Sequence, residues 1–238
     1  MPTVHAPRTY RLADHVRACQ VDGRVILLDL RRNHYIGVGG SQLARLSDAI
    51  ENWPVPAGHA SSPRDAKELD AHIDQFMQQG LLSDTPSSTS ALPRLEEPRH
   101  SADADDDNFS GFEWRQLLRL WRCSSLASFQ LKRHSLEAIV HQVASSRPDL
   151  PLDDTTEELM AASATFRRLR PFAFTAHDQC LHDSLTLIRF LGAQHLFPRW
   201  VIGVRARPFG AHSWVQSGTV VLNDLHEHVR RYQPILVV

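Results

Sequence analysis

The chain opens on an alternation of apolar and polar positions. In "HVRACQV" and "RVILLDL", residues 15–21 and 24–30, two β-rich runs flank Asp22-Gly23, a strong hairpin signal. Arg31–Asn33 reads as a second turn and "HYIGVG", 34–39, as a third strand. The period then lengthens. Ser41 is placed to cap a helix over "SQLARLSDAIENW", where Leu43, Leu46 and Ile50 recur on one face. A further helix is predicted over about 66–79, because Leu69, Ile73, Phe76 and Met77 follow i, i+4, i+7, i+8 spacing. Gly80 suits the position just past its end. Strands followed by helices within residues 1–84 predict a small winged-helix-like module.

The pattern lapses over Ser83–Gly111, which is rich in Ser, Pro and Asp and poor in large apolar residues. Such a stretch cannot bury enough surface to offset its ordering entropy, so residues 85–110 are expected to be a flexible acidic linker and 111–238 a second domain. There the helical period returns. "FEWRQLLRLWRCSSLASFQLKRHSLEAIVHQVASS" reads as one or two helices with Cys123 packed inside, and "TTEELMAASATFRRLR" as another, stopped by Pro171. Leu181, Leu185, Ile188 and Leu191 form one face of a helix ending near Gly192, with Thr175 or Asp178 as its cap. Beyond it, "RWVIGVRARPFGAHSWVQSGTVVLND" reads as a strand, a Pro-Gly loop and a hairpin about Ser217-Gly218. The fold class is α+β.

Composition narrows the function. The net charge of −1 gives no reason to expect nucleic acid. Nor does the helix near 68–79, which holds Glu68, Asp70 and Asp74 and neither Lys nor Arg. No apolar run approaches the roughly 18 residues of a membrane span, and the N-terminus lacks the apolar core of a secretory signal. Cys19, Cys123 and Cys180 are odd in number and far apart, so neither a disulfide framework nor a CxxC zinc site is indicated. A reduced, cytoplasmic protein is expected.

Chemistry centres on "HDQCLHDSLTLIRFLG", 177–192. It places Cys180 in the first turn of a helix, where unpaired N–H groups and the dipole favour a thiolate. Buried packing, metal ligation and nucleophilic catalysis are all open for such a cysteine. His212 and Asp224, downstream on the expected hairpin, could supply an imidazole base and a carboxylate to orient it. A two-residue turn at Ser217-Gly218 would pair His212 with Asn223 and turn Asp224 away, so this reading predicts a longer connection or a bulge. A metal cluster of His177, Cys180 and His182 is disfavoured, because Cys180 and His182 point apart at helical spacing. The same spacing keeps His182 from serving as base. Trp214 is expected to pack beside the site, and Asp183 to be a solvated first-turn residue.

The first module, through "VILLDLRRNHYIGVGGSQLARL", resembles the precursor-peptide recognition element of ribosomal peptide biosynthesis, a relative of the small chaperone of pyrroloquinoline quinone synthesis. The resemblance covers roughly residues 10–84. It implies that an extended leader peptide adds to the edge of the third strand, His34, Tyr35, Ile36, Gly37 and Val38, and packs on Leu69, Ile73, Phe76 and Met77. The alternative for those last four is ordinary core.

"CLHDSLTLIRFLG", "PRWVIGV", "AHSWV" and "VVLND" resemble the leader peptidase of lasso-peptide biosynthesis, the B protein, with its transglutaminase-like cysteine protease domain. With the first module, the chain resembles the fused form. The resemblance implies Cys180 as nucleophile, His212 as general base and then acid, and Asp224 as orienting carboxylate, with no cofactor or metal. Ser213 stands where Ala is expected, and His182-Asp183 replaces the usual basic pairing. The implied partners are a precursor peptide and an ATP-dependent, asparagine-synthetase-like cyclase that closes a macrolactam on the freed N-terminus. A non-catalytic leader-binding adaptor and a transglutaminase-type acyltransferase are the competing functions.

Overall fold

The computed structural model describes residues 10–39, 43, 46–47, 49–51, 53–54, 63–84, 95–102, 114–148, 156–173 and 179–238. The chain divides into two compact units, the first comprising Met1–Ala91 with Arg205–Phe209 and the second Leu92–Val204 and Gly210–Val238.

In the first unit, β2 (Val16–Val21), β3 (Arg24–Asp29) and β4 (His34–Val38) form an antiparallel sheet in the order β2-β3-β4. Asp22 and Gly23 both have positive φ, +48° and +70°, which is the backbone that the Asp-Gly signal calls for. Asp29, buried at the end of β3, accepts from the Arg31 and Arg32 N–H groups and from the Arg32 guanidinium, which fixes the next turn. A second small sheet was not legible in the pattern. In it β1 (Tyr10–Leu12) lies between β5 (Ile50–Glu51), parallel to it, and β6 (Leu82–Ser83), antiparallel. Ile50, expected on a helix face, is instead a strand residue paired with Tyr10. The described positions before it, 43, 46, 47 and 49, are helical.

Helix α1 (Pro63–Gln78) is the helix expected over 66–79. It ends as Gly80 predicts: φ is +71°, the Gly80 N–H donates to Met77 O, and the Leu81 N–H reaches back to Phe76 O. Phe76 and Leu81 are both buried in the core that also takes Val25, Leu27, Val38 and Ile73.

The second unit packs helices against a five-stranded sheet. Its helices are α2 (Trp114–Arg133), α3 (Leu136–Ser145), α4 (Thr156–Leu169), α5 (Cys180–Gly192) and the short α6 (His226–Val229). Ser135 separates α2 from α3, and its hydroxyl accepts from the Ala138 N–H. Pro171 stops α4 by converting its end to a 3-10 turn, Arg170–Phe172. The strands are β7 (His100–Ser101), β8 (Arg199–Ala206), β9 (Phe209–Ser217), β10 (Val220–Val221) and β11 (Gln233–Val237), ordered β11-β8-β9-β10-β7. Trp200 and Trp214 on the sheet and Phe166 and Phe190 on the helices are fully buried. Among the described residues no helix is long and apolar enough to cross a membrane.

Two features of this sheet depart from expectation. Within the stretch expected to be linker, His100–Ser101 runs parallel to β10. The preceding Leu95 packs on the core of Val201, Trp214, Val221, Val229 and Val237. The acidic run that suggested a linker starts only at Asp103, and it masked this short apolar anchor. Gly203 on β8 is the second. A Cβ there would stand 2.7 Å from Trp214 Cζ3 and 2.9 Å from Tyr232 Cβ. Gly203→Ala is therefore expected to lower stability by about 1–3 kcal/mol, measured by urea or thermal unfolding.

Candidate active site

Cys180 is the first residue of α5, preceded by Gln179, whose side chain makes no capping bond. Thr175, Asp178 and His177 lie outside the described residues. The thiol is half-buried, whereas Cys19 and Cys123 are buried in the two units. Burial pushes the Cys180 thiol up, but the His212 imidazole and the backbone N–H groups of Ser213 and Leu181 outweigh it and hold the pKa below its ordinary value. Burial without such partners pushes Cys19 up to about 12 and raises Cys123. Among the described cysteines, only Cys180 is held toward the thiolate.

His212, on β9, donates from Nε2 to Asp224 Oδ2 at 2.5 Å, which leaves Nδ1 for the thiol. Burial disfavours its imidazolium, yet hydrogen bonds to Asp224 and Cys180 raise its pKa to about 9. Asp224 shows the reverse balance. Burial raises it, while His212, His228 and the Leu225 N–H bring it down to about 2. Trp214 is buried and its ring stacks beside His212, with centroids 6.2 Å apart. That is the packing role expected of it.

The route by which Asp224 reaches His212 differs from both registers considered. The hairpin turn is two residues long but sits at Gly218-Thr219, pairing Ser217 with Val220 and Gln216 with Val221. Continued, that ladder would set Asp224 opposite Ser213. Beyond Val221 the ladder keeps one bond, from the Leu222 N–H to Val215 O, and the Asn223 side chain takes the place of its reciprocal. The Asn223 amide oxygen accepts from the Val215 N–H (2.8 Å), and its nitrogen donates to Asp183 Oδ2 (2.9 Å). Asp224 therefore approaches His212 from a loop pinned at both ends. No longer connection or bulge is needed.

Asp183 is not a solvated residue. Only 4% of its surface is exposed, and it meets Asn223 on one side and Arg170 Nη1 at 3.2 Å on the other. Burial raises its pKa against the pull of those two partners. One turn along α5 from Cys180, it ties the cysteine's helix to the loop carrying Asp224. His182 turns away into the helices, where Nε2 lies 2.9 Å from Ser128 Oγ and 3.2 Å from Ser124 O. Among the described residues it belongs to no group that could hold a metal ion. Ser213, out of pattern for the resemblance, has a physical role. Its hydroxyl donates to Val201 O, meets Ser184 Oγ at 2.8 Å and accepts from the Trp200 indole at 2.9 Å, so helix and sheet share one buried polar network.

His228 was missed by sequence reasoning. Its Nδ1 lies 2.9 Å from Asp224 Oδ2, the oxygen already holding His212. The signal was present in "NDLHEH": a histidine four residues after the carboxylate, with a short helical turn between them. His212, Asp224 and His228 bring ligand atoms within 4.8 Å of one another, and among the described residues they are the group that could hold a metal ion. Hydrogen bonds already account for each contact.

The expected leader-binding residues divide. β4 is an edge of its sheet, with His34 and Gly37 exposed, Tyr35 and Ile36 half-buried and Val38 buried. Ile73 and Phe76 are 4% and 7% exposed, core residues beneath that sheet, because the i, i+3 face of α1 is what the strands cover. Met77 is partly buried against the same core, and the side chain of Leu69 lies outside the described residues.

Comparison with known proteins adds to this geometry. Over 47 residues the chain is 47% identical to the microcin J25-processing protein McjB of Escherichia coli, covering 20% of this chain and 23% of that protein. The alignment thus spans less than a quarter of McjB's length. No solved structure matches. Residues 120–237, the segment holding Cys180, His212 and Asp224, match the family described as the transglutaminase-like superfamily. The chain is a mixed α+β protein whose C-terminal region carries a transglutaminase-like domain.

Proposed function

We propose that the protein is a cysteine peptidase that removes the leader from a ribosomally made lasso-peptide precursor. The observation that carries this reading is the convergence of a half-buried thiol held toward the thiolate, an imidazole with a raised pKa and a carboxylate on its far nitrogen. The local likeness to McjB, a microcin-processing protein, supports the substrate class.

In this reading the Cys180 thiolate attacks the scissile carbonyl. Backbone N–H groups at the start of α5 stabilise the oxyanion as the C–O double bond opens. His212, protonated at Nδ1, gives that proton to the departing amine as the C–N bond breaks, leaving a thioester on Cys180. It then takes a proton from water, whose oxygen attacks the thioester; the C–S bond breaks, the leader leaves as its carboxylic acid, and the thiolate and imidazolium are restored. Asp224 holds the ring in the orientation and charge state that both steps need. The leader is held by strand addition at the β4 edge, His34–Val38, in a recognition module spanning residues 1–84. Tethering capture to cleavage raises the effective concentration of the bond to be cut. The freed core N-terminus passes to an ATP-dependent macrolactam cyclase, to which ATP belongs.

The test is mass spectrometry of the neighbouring-gene precursor after incubation with wild type or Cys180→Ala, with and without the cyclase. Separate leader and core products from wild type, lost in Cys180→Ala while leader binding persists, are expected. Equal cleavage by both proteins removes Cys180 as nucleophile. Binding without cleavage, even with the cyclase, assigns the chain to leader capture alone. With excess amine present, a core-side mass unchanged and a leader mass carrying the amine would assign acyl transfer.

A further inference from the structure

Helix α2 has a face that the fold leaves open. Trp114, Leu118, Trp121 and Phe129 are each half or more exposed, at 59%, 50%, 53% and 56%. At 100° per residue they fall within an arc of about 80°, a crest running roughly 22 Å along the helix. The opposite face, with Leu120, Cys123, Ala127 and Gln130, is buried. Phe172, 64% exposed, widens the patch sideways, since its carbonyl accepts from the Trp121 indole N–H. Beside the crest lies an open groove of about 940 Å³, lined largely by apolar side chains with Arg115, Arg119 and Arg122 among them.

The charge on this helix is one-sided. α2 carries Arg115, Arg119, Arg122, Lys132 and Arg133 and no Asp or Glu, in a chain whose net charge is −1. At helical spacing Arg115, Arg122, Lys132 and Arg133 fall on or beside the crest. A second copy of the same face would meet it with like charge, so self-association there is disfavoured. The complement must be anionic and apolar at once, and broad, because the patch extends beyond a single helix-width slot. Aromatic and leucine side chains flanked by Lys and Arg are the chemistry of a helix lying in a membrane interface.

We propose that the outer face of α2 adsorbs to an anionic bilayer surface, placing the second unit at the membrane as a peripheral protein. The crest enters the headgroup region and the basic residues pair with anionic lipid. The proposal does not depend on the peptidase reading.

The protein carries its own reporter. Of its five tryptophans, Trp53, Trp200 and Trp214 are buried, so a change in indole emission on binding comes from Trp114 and Trp121. The full chain is titrated with vesicles of phosphatidylglycerol and phosphatidylcholine mixed equally, and with phosphatidylcholine alone. A blue shift and co-sedimentation with the anionic vesicles only, weakened by salt, are expected. Arg115→Glu/Arg119→Glu/Arg122→Glu should reduce partitioning at least about a hundredfold. Leu118→Asp, with folding verified by circular dichroism, should abolish the blue shift. Absence of binding to the anionic vesicles overturns the proposal, as does binding that persists in both variants. A shift produced by polyglutamate and by no vesicle also overturns it, and assigns the face to an acidic protein.

Discussion

In the proposed leader-peptidase reaction, Asp224→Asn is expected to lower kcat/KM by about 10²–10⁴-fold while leader affinity is unchanged. The carboxylate satisfies three donors: Oδ2 takes His212 Nε2 and His228 Nδ1, and Oδ1 takes the Leu225 N–H at 2.7 Å. A carboxamide has only one acceptor oxygen. Turned toward the histidines, it sets its NH₂ against the Leu225 N–H; turned the other way, it points NH₂ at both rings. His212 then favours the tautomer with its proton on Nδ1, facing the thiol, where it cannot accept the cysteine's proton. Steady-state kinetics on the precursor, with leader binding measured in parallel, tests this. An unchanged kcat/KM would show that Asp224 has no part in orienting the base.

The second large effect is on the reactivity of Cys180 with pH. The thiol is lowered and His212 is raised to about 9, and both shifts favour a thiolate paired with an imidazolium. Alkylation by iodoacetamide, followed at Cys180 by peptide mass spectrometry, should fall less steeply from pH 8 to 6 than that of an ordinary thiol. An ordinary thiol, with pKa near 8.5, would lose about tenfold per unit of falling pH. In His212→Ala the cost of burying a thiolate is no longer offset by the ring, and the rate at pH 6.5 should fall by about 10²-fold or more. A wild-type profile that tracks an ordinary thiol would refute the ion pair. Cys19, pushed up to about 12, and the buried Cys123 give little background. His212 and Asp224 also contribute to stability. The share of His212, whose folded pKa is raised, is fully present below its unfolded value of 6.5 and lost as pH rises through about 9. That of Asp224, depressed to about 2, is present above 3.8 and lost as pH falls through about 2.

Sequence pattern reached the site through local signals and stopped where the geometry became tertiary. The Asp22-Gly23 hairpin and the Gly80 helix stop were legible because a single backbone requirement, positive φ, selects those residues. Cys180 at a helix start was legible from the apolar period behind it. The approach of Asp224 was not, because it depends on Asn223 replacing a ladder bond, and no strand period encodes that substitution. Asp183 was misread for a similar reason. A charged residue in a first turn usually faces water, but here Asn223 and Arg170 are brought to it from distant segments. Strands β1, β5, β6 and β7, of two or three residues each, are too short to show any alternation.

The strand β7 changes where this protein can be cut. A fragment beginning at 111, where composition alone puts the boundary, would strip the sheet of its fifth strand. It would lose the Leu95 anchor, the Glu97–Arg230 ion pair and the Ser101 hydroxyl that accepts from the His226 N–H. β10 would then present an open parallel edge, a template for pairing with another chain. It would also free the base of the turn that carries His228. A fragment beginning near Leu92 keeps β10 paired, so residues 95–102 act as a built-in guard against strand-to-strand aggregation of the second unit.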